Sequence, residues 1–284
     1  MQMNKNAETF RIIVDSCCDL TRELKARLGA TSIPLTMRLG QQEFVDDDTL
    51  QIDHFMQAMK ACAEKVGSAS PAPLTYQQAM IKAGCSFVVT LSSKLSGSFA
   101  SAMLGKTMAL KEGASDTHVF DSKSASAGET LIAIKLHELI ANGLGKDQII
   151  ESVSQFIDNM KTYFVLESYD NLYKNGRLGK VAIKIINLLG IKLIMGDDGN
   201  GSIAAYAKVR SEKQMLAKLL AFIEESGKKI TGERIVISHC DNPGLAQRLA
   251  DAIDQRFDFS EIQIVPTGGL SSLYADDKGV VMAF

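Results

Sequence analysis

Short apolar runs alternate with segments of helical spacing along the first half of the chain. FRIIVD (10–15) predicts a strand, and DLTRELKARLG (19–29) a helix with Asp19 or Thr21 as its cap and Gly29 as its stop. TSIPLTMRL (31–39) alternates as a strand does, and IDHFMQAMKACAEK (52–65) carries a helical stripe at Phe55, Met56, Met59 and Ala63. GSASPAP (67–73) reads as a loop and LTYQQAMIKAG begins a short helix. SFVVTL (86–91) is a buried strand, GSFASAMLGKTMALKEG (97–113) a helix and HVFDS (118–122) another strand. Helices follow at about 126–142 and 146–160. Strands separated by helices over this length predict βαβ units and a parallel sheet.

The second half has a different rhythm. YFVLES (163–168) leads into YDNLYKNGRLGK, a short helix broken at Gly176, and IKIINLLGIKLIM is a helix turning at Gly190 into a strand. MGDDGNGSIAAYAKVR predicts a hairpin. SEKQMLAKLLAFIEES (211–226) is an amphipathic helix, RIVISH (234–239) a strand, PGLAQRLADAIDQ a helix, and EIQIVP and GVVMAF two last strands. The expected architecture is α/β in two domains with a boundary near residue 158. An α/β/α domain with a parallel sheet (1–158) is followed by a smaller α/β domain with a mixed sheet (159–284).

A length of 284 residues suits two domains better than one core. The net charge is −2, and the Lys and Arg residues are dispersed among acids, so no nucleic-acid partner is expected. MQMNKNAETF is polar and predicts no signal peptide, and runs such as SFVVTL are too short to span a bilayer. Five cysteines at irregular spacing, with no CxxC, predict reduced thiols in a cytoplasmic protein and no zinc site. Asp197 and Asp198 in DDGNG lack the spacing and terminal Glu of a calcium loop, so the run predicts a turn and no metal.

Candidate chemistry gathers at strand ends, where ligands of parallel sheets bind. DSCCD (15–19), TLSSKLSGS (90–98) and DSKSAS (121–126) all fall there. Capping the helix after residue 96 needs one hydroxyl, yet Ser92, Ser93, Ser96 and Ser98 are all available. Helix-terminal amides with several hydroxyls suit an anion, although a well-capped junction draws on the same residues. LSGS is not GxSxG, and no spacing brings His54, His118, His137 or His239 to a serine as its base. GSASPAP is either a plain linker or a rigid loop carrying Ser68 and Ser70 to the same pocket. Arg177 and Arg210 read either as solvated surface or as contacts for an acidic partner.

Together IIVDSCCDLT, IPLTMRLGQQEFVDD, GSASPAP, LSSKLSGSFASA, VFDSKSASAGE, NLYKNGRLG, LLGIKLIM, the DG hairpin ending in KVR, and ISHCDNPG make a series. That series resembles the DegV family of bacterial fatty-acid-binding proteins, the substrate carriers of fatty acid kinase, over the full length. The resemblance implies a carrier rather than an enzyme, with no cofactor. One long-chain fatty acid would lie in an apolar tunnel with its carboxylate at the interdomain cleft. The partners it implies are a fatty acid kinase ATP-binding subunit, which performs the phosphoryl chemistry, and transient contact with a membrane.

Carried over by motif, the carboxylate-binding positions fall on Ser68 and Ser96, with Ser92 and Ser98 beside them. Arg177 and Arg210 fall on the kinase-facing surface. Ala69 and Ser70 depart from the family's Ser-Gln, and Asn175 replaces a Gly. IVPTGGLSSLYADDKGVVMAF lacks the family's head-group histidine, so Thr267, Gly268 and Gly269 are the expected substitutes. The alternative is an enzyme acting on a phosphorylated metabolite, since the family architecture is similar to that of dihydroxyacetone kinase. It would need a Walker-type loop or metal ligands, and the sequence shows neither.

Overall fold

The computed structural model describes residues 10–113, 116–178 and 190–284. β1 (Arg11–Asp15) leads into α1 (Arg22–Leu28) and β2 (Ala30–Ile33). Thr21, not Asp19, caps α1 by accepting from the Leu24 amide at 3.2 Å, and Gly29 ends it at φ 59. The run 31–39 is two strands. β2 pairs in parallel with β1, but after Pro34 the chain departs as β3 (Thr36–Leu39) into a separate antiparallel sheet. That sheet, in the order β4-β3-β5, adds β4 (Gln42–Val45) and β5 (Val66–Ala69) around α2 (Ile52–Ala61). The segment GSA, expected in a loop, therefore lies on a strand, with Ser68 opposite Met37.

α3 (Pro73–Ala83), β6 (Cys85–Thr90), α4 (Ser98–Lys111) and β7 (Asp116–Asp121) continue the βαβ pattern. The parallel sheet runs β2-β1-β6-β7. Side chains alternate across it. Ile13, Val88 and Val119 pack against Tyr76, Met80, Ala102 and Ala109 of α3 and α4. Ile12, Val14, Phe87 and Val89 face the other side, toward α1 and toward α5 (Ala127–Ala141), which is followed by α6 (Lys146–Asn159).

The second half begins with β8 (Thr162–Val165), α7 (Asp170–Lys174) and the hairpin β9 (Lys192–Asp197) and β10 (Ile203–Val209). The helix expected across 183–189 lies outside the described residues. α8 (Glu212–Glu225), β11 (Arg234–His239), α9 (Pro243–Asp254) and β12 (Glu261–Pro266) follow, then α10 (Gly269–Ala275) and β13 (Val280–Ala283). The mixed sheet runs β10-β9-β8-β13-β11-β12, with only β11 and β12 parallel.

α5 is buried almost all round, from Ala127 to Ile134 and at Leu136 and Leu139, as suits a helix with an apolar surface on every side. It sits between the sheets. One core cluster joins Leu131, Ile132 and Leu136 of α5 with Val89 of the parallel sheet and Val236 and Val281 of the mixed sheet.

Candidate functional site

The carboxyl ends of β1, β2, β6 and β7 point toward one apolar cavity, the position expected for a parallel sheet. Leu35, Leu91, Leu95, Phe164, Leu172 and Leu270 are among its walls. Its atom-free space is about 890 Å³ with the open mouth included.

Polar groups converge on this lining from three elements. Ser68 of β5 stands 2.8 Å from the hydroxyl of Tyr274 on α10. Arg177, half-buried after α7, donates from Nε to the Leu95 carbonyl at 3.0 Å and from a terminal nitrogen to the Asn175 carbonyl at 2.7 Å. Its guanidinium lies 5.6 Å from the centre of the Tyr274 ring. Asn175 ties this segment to β5 by donating to the Val66 carbonyl at 3.0 Å. Ser96 also lines the cavity, and its Oγ accepts from the Ser98 amide at 3.2 Å. The result is two serines, a phenol and an arginine close together on a leucine-rich wall, and Lys123, Ser124, Ser126, Thr162, Asp197, Ser202 and Ser271 also border the cavity. No histidine is among the lining residues.

The other expected ligand contacts are placed elsewhere. Ser92 is fully buried and donates to the Gly201 carbonyl at 2.7 Å, fastening the β9–β10 turn to the β6–α4 loop. Ser98 opens α4 with its hydroxyl 3.1 Å from that of Ser96, one layer behind the lining. Thr267 donates to the His239 carbonyl at 3.3 Å, and the Gly268 amide donates to Asp19 at 2.8 Å. Asp46 takes the amides of Gly269 and Leu270 at 2.8 and 2.9 Å. The amides expected to hold a carboxylate thus already hold two of the protein's own. Thr267 and Gly268 border a separate polar cleft with Arg22 and Lys25. Arg177 belongs to the cavity wall rather than to an open face, whereas Arg210 is exposed.

Two features escape sequence reasoning. Tyr274 sits in a stretch whose only helical signal is one short triplet, Leu270, Leu273 and Tyr274. The second is a set of buried acids at the ends of the DSCCD and DSKSASAGE motifs. Burial raises Asp15 to about 6, although the Leu91 and Cys17 amides partly oppose this. Burial likewise raises Asp19 to about 6 against donation from Ser126 and Gly268. Glu129 is pushed well above the usual carboxylate range by burial and then by the neighbouring Asp15 charge. The acids were visible in the sequence, but their burial was not.

The DegV family model, described as "Uncharacterised protein, DegV family", matches residues 9–283. The chain belongs to the DegV family. A DegV domain-containing protein of Streptococcus gordonii is 36% identical over 280 residues, covering 97% of this chain and 99% of that one. Among solved structures, a DegV family protein of Ruminococcus gnavus refined with vaccenic acid superposes with a TM-score of 0.92 at 35% identity. The Streptococcus pneumoniae Fatty Acid Kinase (Fak) B3 protein loaded with linoleic acid gives 0.89, also at 35% identity. In both, 97% of this chain and 99% of the other are covered. The α/β architecture of a parallel sheet followed by a mixed sheet is that of these DegV structures.

Proposed function

We propose that this chain is a carrier that binds one long-chain fatty acid in the apolar cavity and presents its carboxylate to a fatty acid kinase. The observation that carries this reading is the lining itself: a leucine-rich wall on which Ser68, Ser96, Tyr274 and Arg177 stand together. Burying some 14 methylenes at about 0.8 kcal/mol each gives roughly 11 kcal/mol, enough to offset much of the cost of association. The head group then needs only a few donors, and hydroxyls supply them. Fatty acids in similar DegV structures support the ligand class, and the Fak B3 likeness supports a kinase partner. In this scheme Arg210 lies on the docking surface, while Arg177 faces the head group.

Native mass spectrometry of the purified protein tests the reading. A co-purified fatty acid released on denaturation is expected. A chain that carries none, and whose melting temperature oleate leaves unchanged, would rule the carrier out, and a bound sugar phosphate would favour the metabolite enzyme.

A further inference from the structure

Behind the apolar cavity lies a group of acids that fatty-acid binding does not use. Asp15 ends β1, Cys17 stands in the turn that follows, and Glu129 lies in the first turn of α5. One carboxylate oxygen of Asp15, the Sγ of Cys17 and one carboxylate oxygen of Glu129 all lie within 4.8 Å of one another. Asp15 and Glu129 are 0% exposed and Cys17 is 3% exposed.

The three are not equally satisfied. Asp15 accepts the Cys17 amide at 3.1 Å on one oxygen and the Leu91 amide at 2.9 Å on the other. These bonds fix its orientation and leave each oxygen a second lone pair. Neither oxygen of Glu129 has a hydrogen-bond partner among the described residues. No lysine, arginine or histidine among them forms an ion pair with Asp15 or Glu129 either. An unpartnered carboxylate at this depth is costly unless something compensates it.

A proton shared between the two carboxylates, with the Cys17 thiol turned toward Glu129, would be one compensation. Here a sulfur lies within 4.8 Å of a carboxylate oxygen of each acid, and a thiolate with two carboxylates is a donor set that zinc accepts. We propose that Asp15, Cys17 and Glu129 form a binding site for a divalent cation of the zinc class. On binding, the Cys17 S–H proton and the proton held by the buried carboxyl pair leave to solvent, and sulfur–metal and oxygen–metal bonds replace them, with no change of oxidation state. Cys17 also borders the apolar cavity, which supplies an entry path. The bound ion would tie the β1–α1 turn to α5 and stiffen that wall.

The test uses the whole chain, freed of metal by chelation and titrated with Zn²⁺ or Co²⁺. Stoichiometric binding is expected, with a thiolate-to-cobalt charge-transfer band that Cys17→Ser abolishes. Glu129→Gln, which keeps the shape and removes the charge, should weaken binding about 10- to 100-fold, and a given Zn²⁺ concentration should raise the melting temperature of the parent chain more than that of the variant. Absence of a Cys17-dependent cobalt band overturns the site. So does a Glu129→Gln variant with unchanged metal affinity. A metal-free chain as stable as its Glu129→Gln variant, with no response to Zn²⁺, would make the group a proton-sharing pair instead.

Discussion

Tyr274 and Arg177 share one contact, and it sets what each can do. The phenol reaches Ser68 at 2.8 Å while its ring lies beneath the guanidinium, 5.6 Å away. Tyr274→Phe removes the hydroxyl and keeps the ring. A hydrogen bond to a charged group is worth ~1.5–3 kcal/mol, so fluorescent fatty-acid titration should show about ten- to a hundredfold weaker binding, as for Ser96→Ala. An unchanged dissociation constant in Tyr274→Phe would remove the phenol from the head-group site. The two arginines should behave differently. Arg177→Glu is expected to lose the fatty acid, whereas Arg210→Glu should keep it and slow phosphorylation by the kinase, most visibly at low salt. Equal effects on binding would refute that division.

His118 gives a pH prediction. Burial, helped by Lys106 and Lys146, lowers it from the ordinary 6.5 to about 4. Between those values the unfolded chain binds a proton that the folded chain refuses, so stability present above pH 6.5 is lost as pH falls toward 4. The ring is only half-buried, so the loss is on the order of 1 kcal/mol after solvent screening. Urea unfolding at pH 7.5 and 4.5 should show a smaller drop for His118→Gln than for the parent chain. Parallel drops would contradict it.

At the scale of elements, α3 and α4 meet closely. A Cβ on Gly105 would stand 2.7 Å from the Pro73 carbonyl and 2.8 Å from the Tyr76 Cβ. Because the first obstacle is backbone, Gly105→Ala must push the helices apart, at about 1–3 kcal/mol in urea unfolding. No change in the denaturation midpoint would mean that α3 yields freely. Elements with strong periodicity, such as α1, β6, α8 and α9, were legible from the chain alone, and the strand-end rule located the cavity. β5 was hidden because an edge strand with only β3 beside it can be built from GSA, residues that otherwise spell a loop. α10 was hidden for a different reason. GGLSSLYA carries a single i, i+3, i+4 triplet, Leu270, Leu273 and Tyr274, too short to stand out beside the Gly-Gly start, and its first amides are held by Asp46, some 223 residues earlier in the chain. Tyr274 is carried by that helix, so the candidate site was only half visible: the serines stood in motifs, while the phenol depended on a long-range cap.

For the molecule as a whole, the division near residue 158 is proposed as topological rather than energetic. Strands of the parallel sheet end at Asp121 and those of the mixed sheet begin at Thr162. Yet α5 contributes Leu131, Ile132 and Leu136 to a core that also contains Val236, Val265 and Val281. Either half alone would expose that apolar surface, so neither half should melt without the other. Leu136 is 0% exposed in this shared core. Leu136→Ala removes buried methyl groups and leaves a cavity, which typically costs about 2–5 kcal/mol. Calorimetry should show one transition in the parent chain and one, at lower temperature, in the variant. If instead the variant splits into two peaks, with only the first displaced, the halves are coupled loosely. A pair of peaks in the parent chain would mean that α5 belongs to the first half alone and that residues 159–284 hold their fold without it.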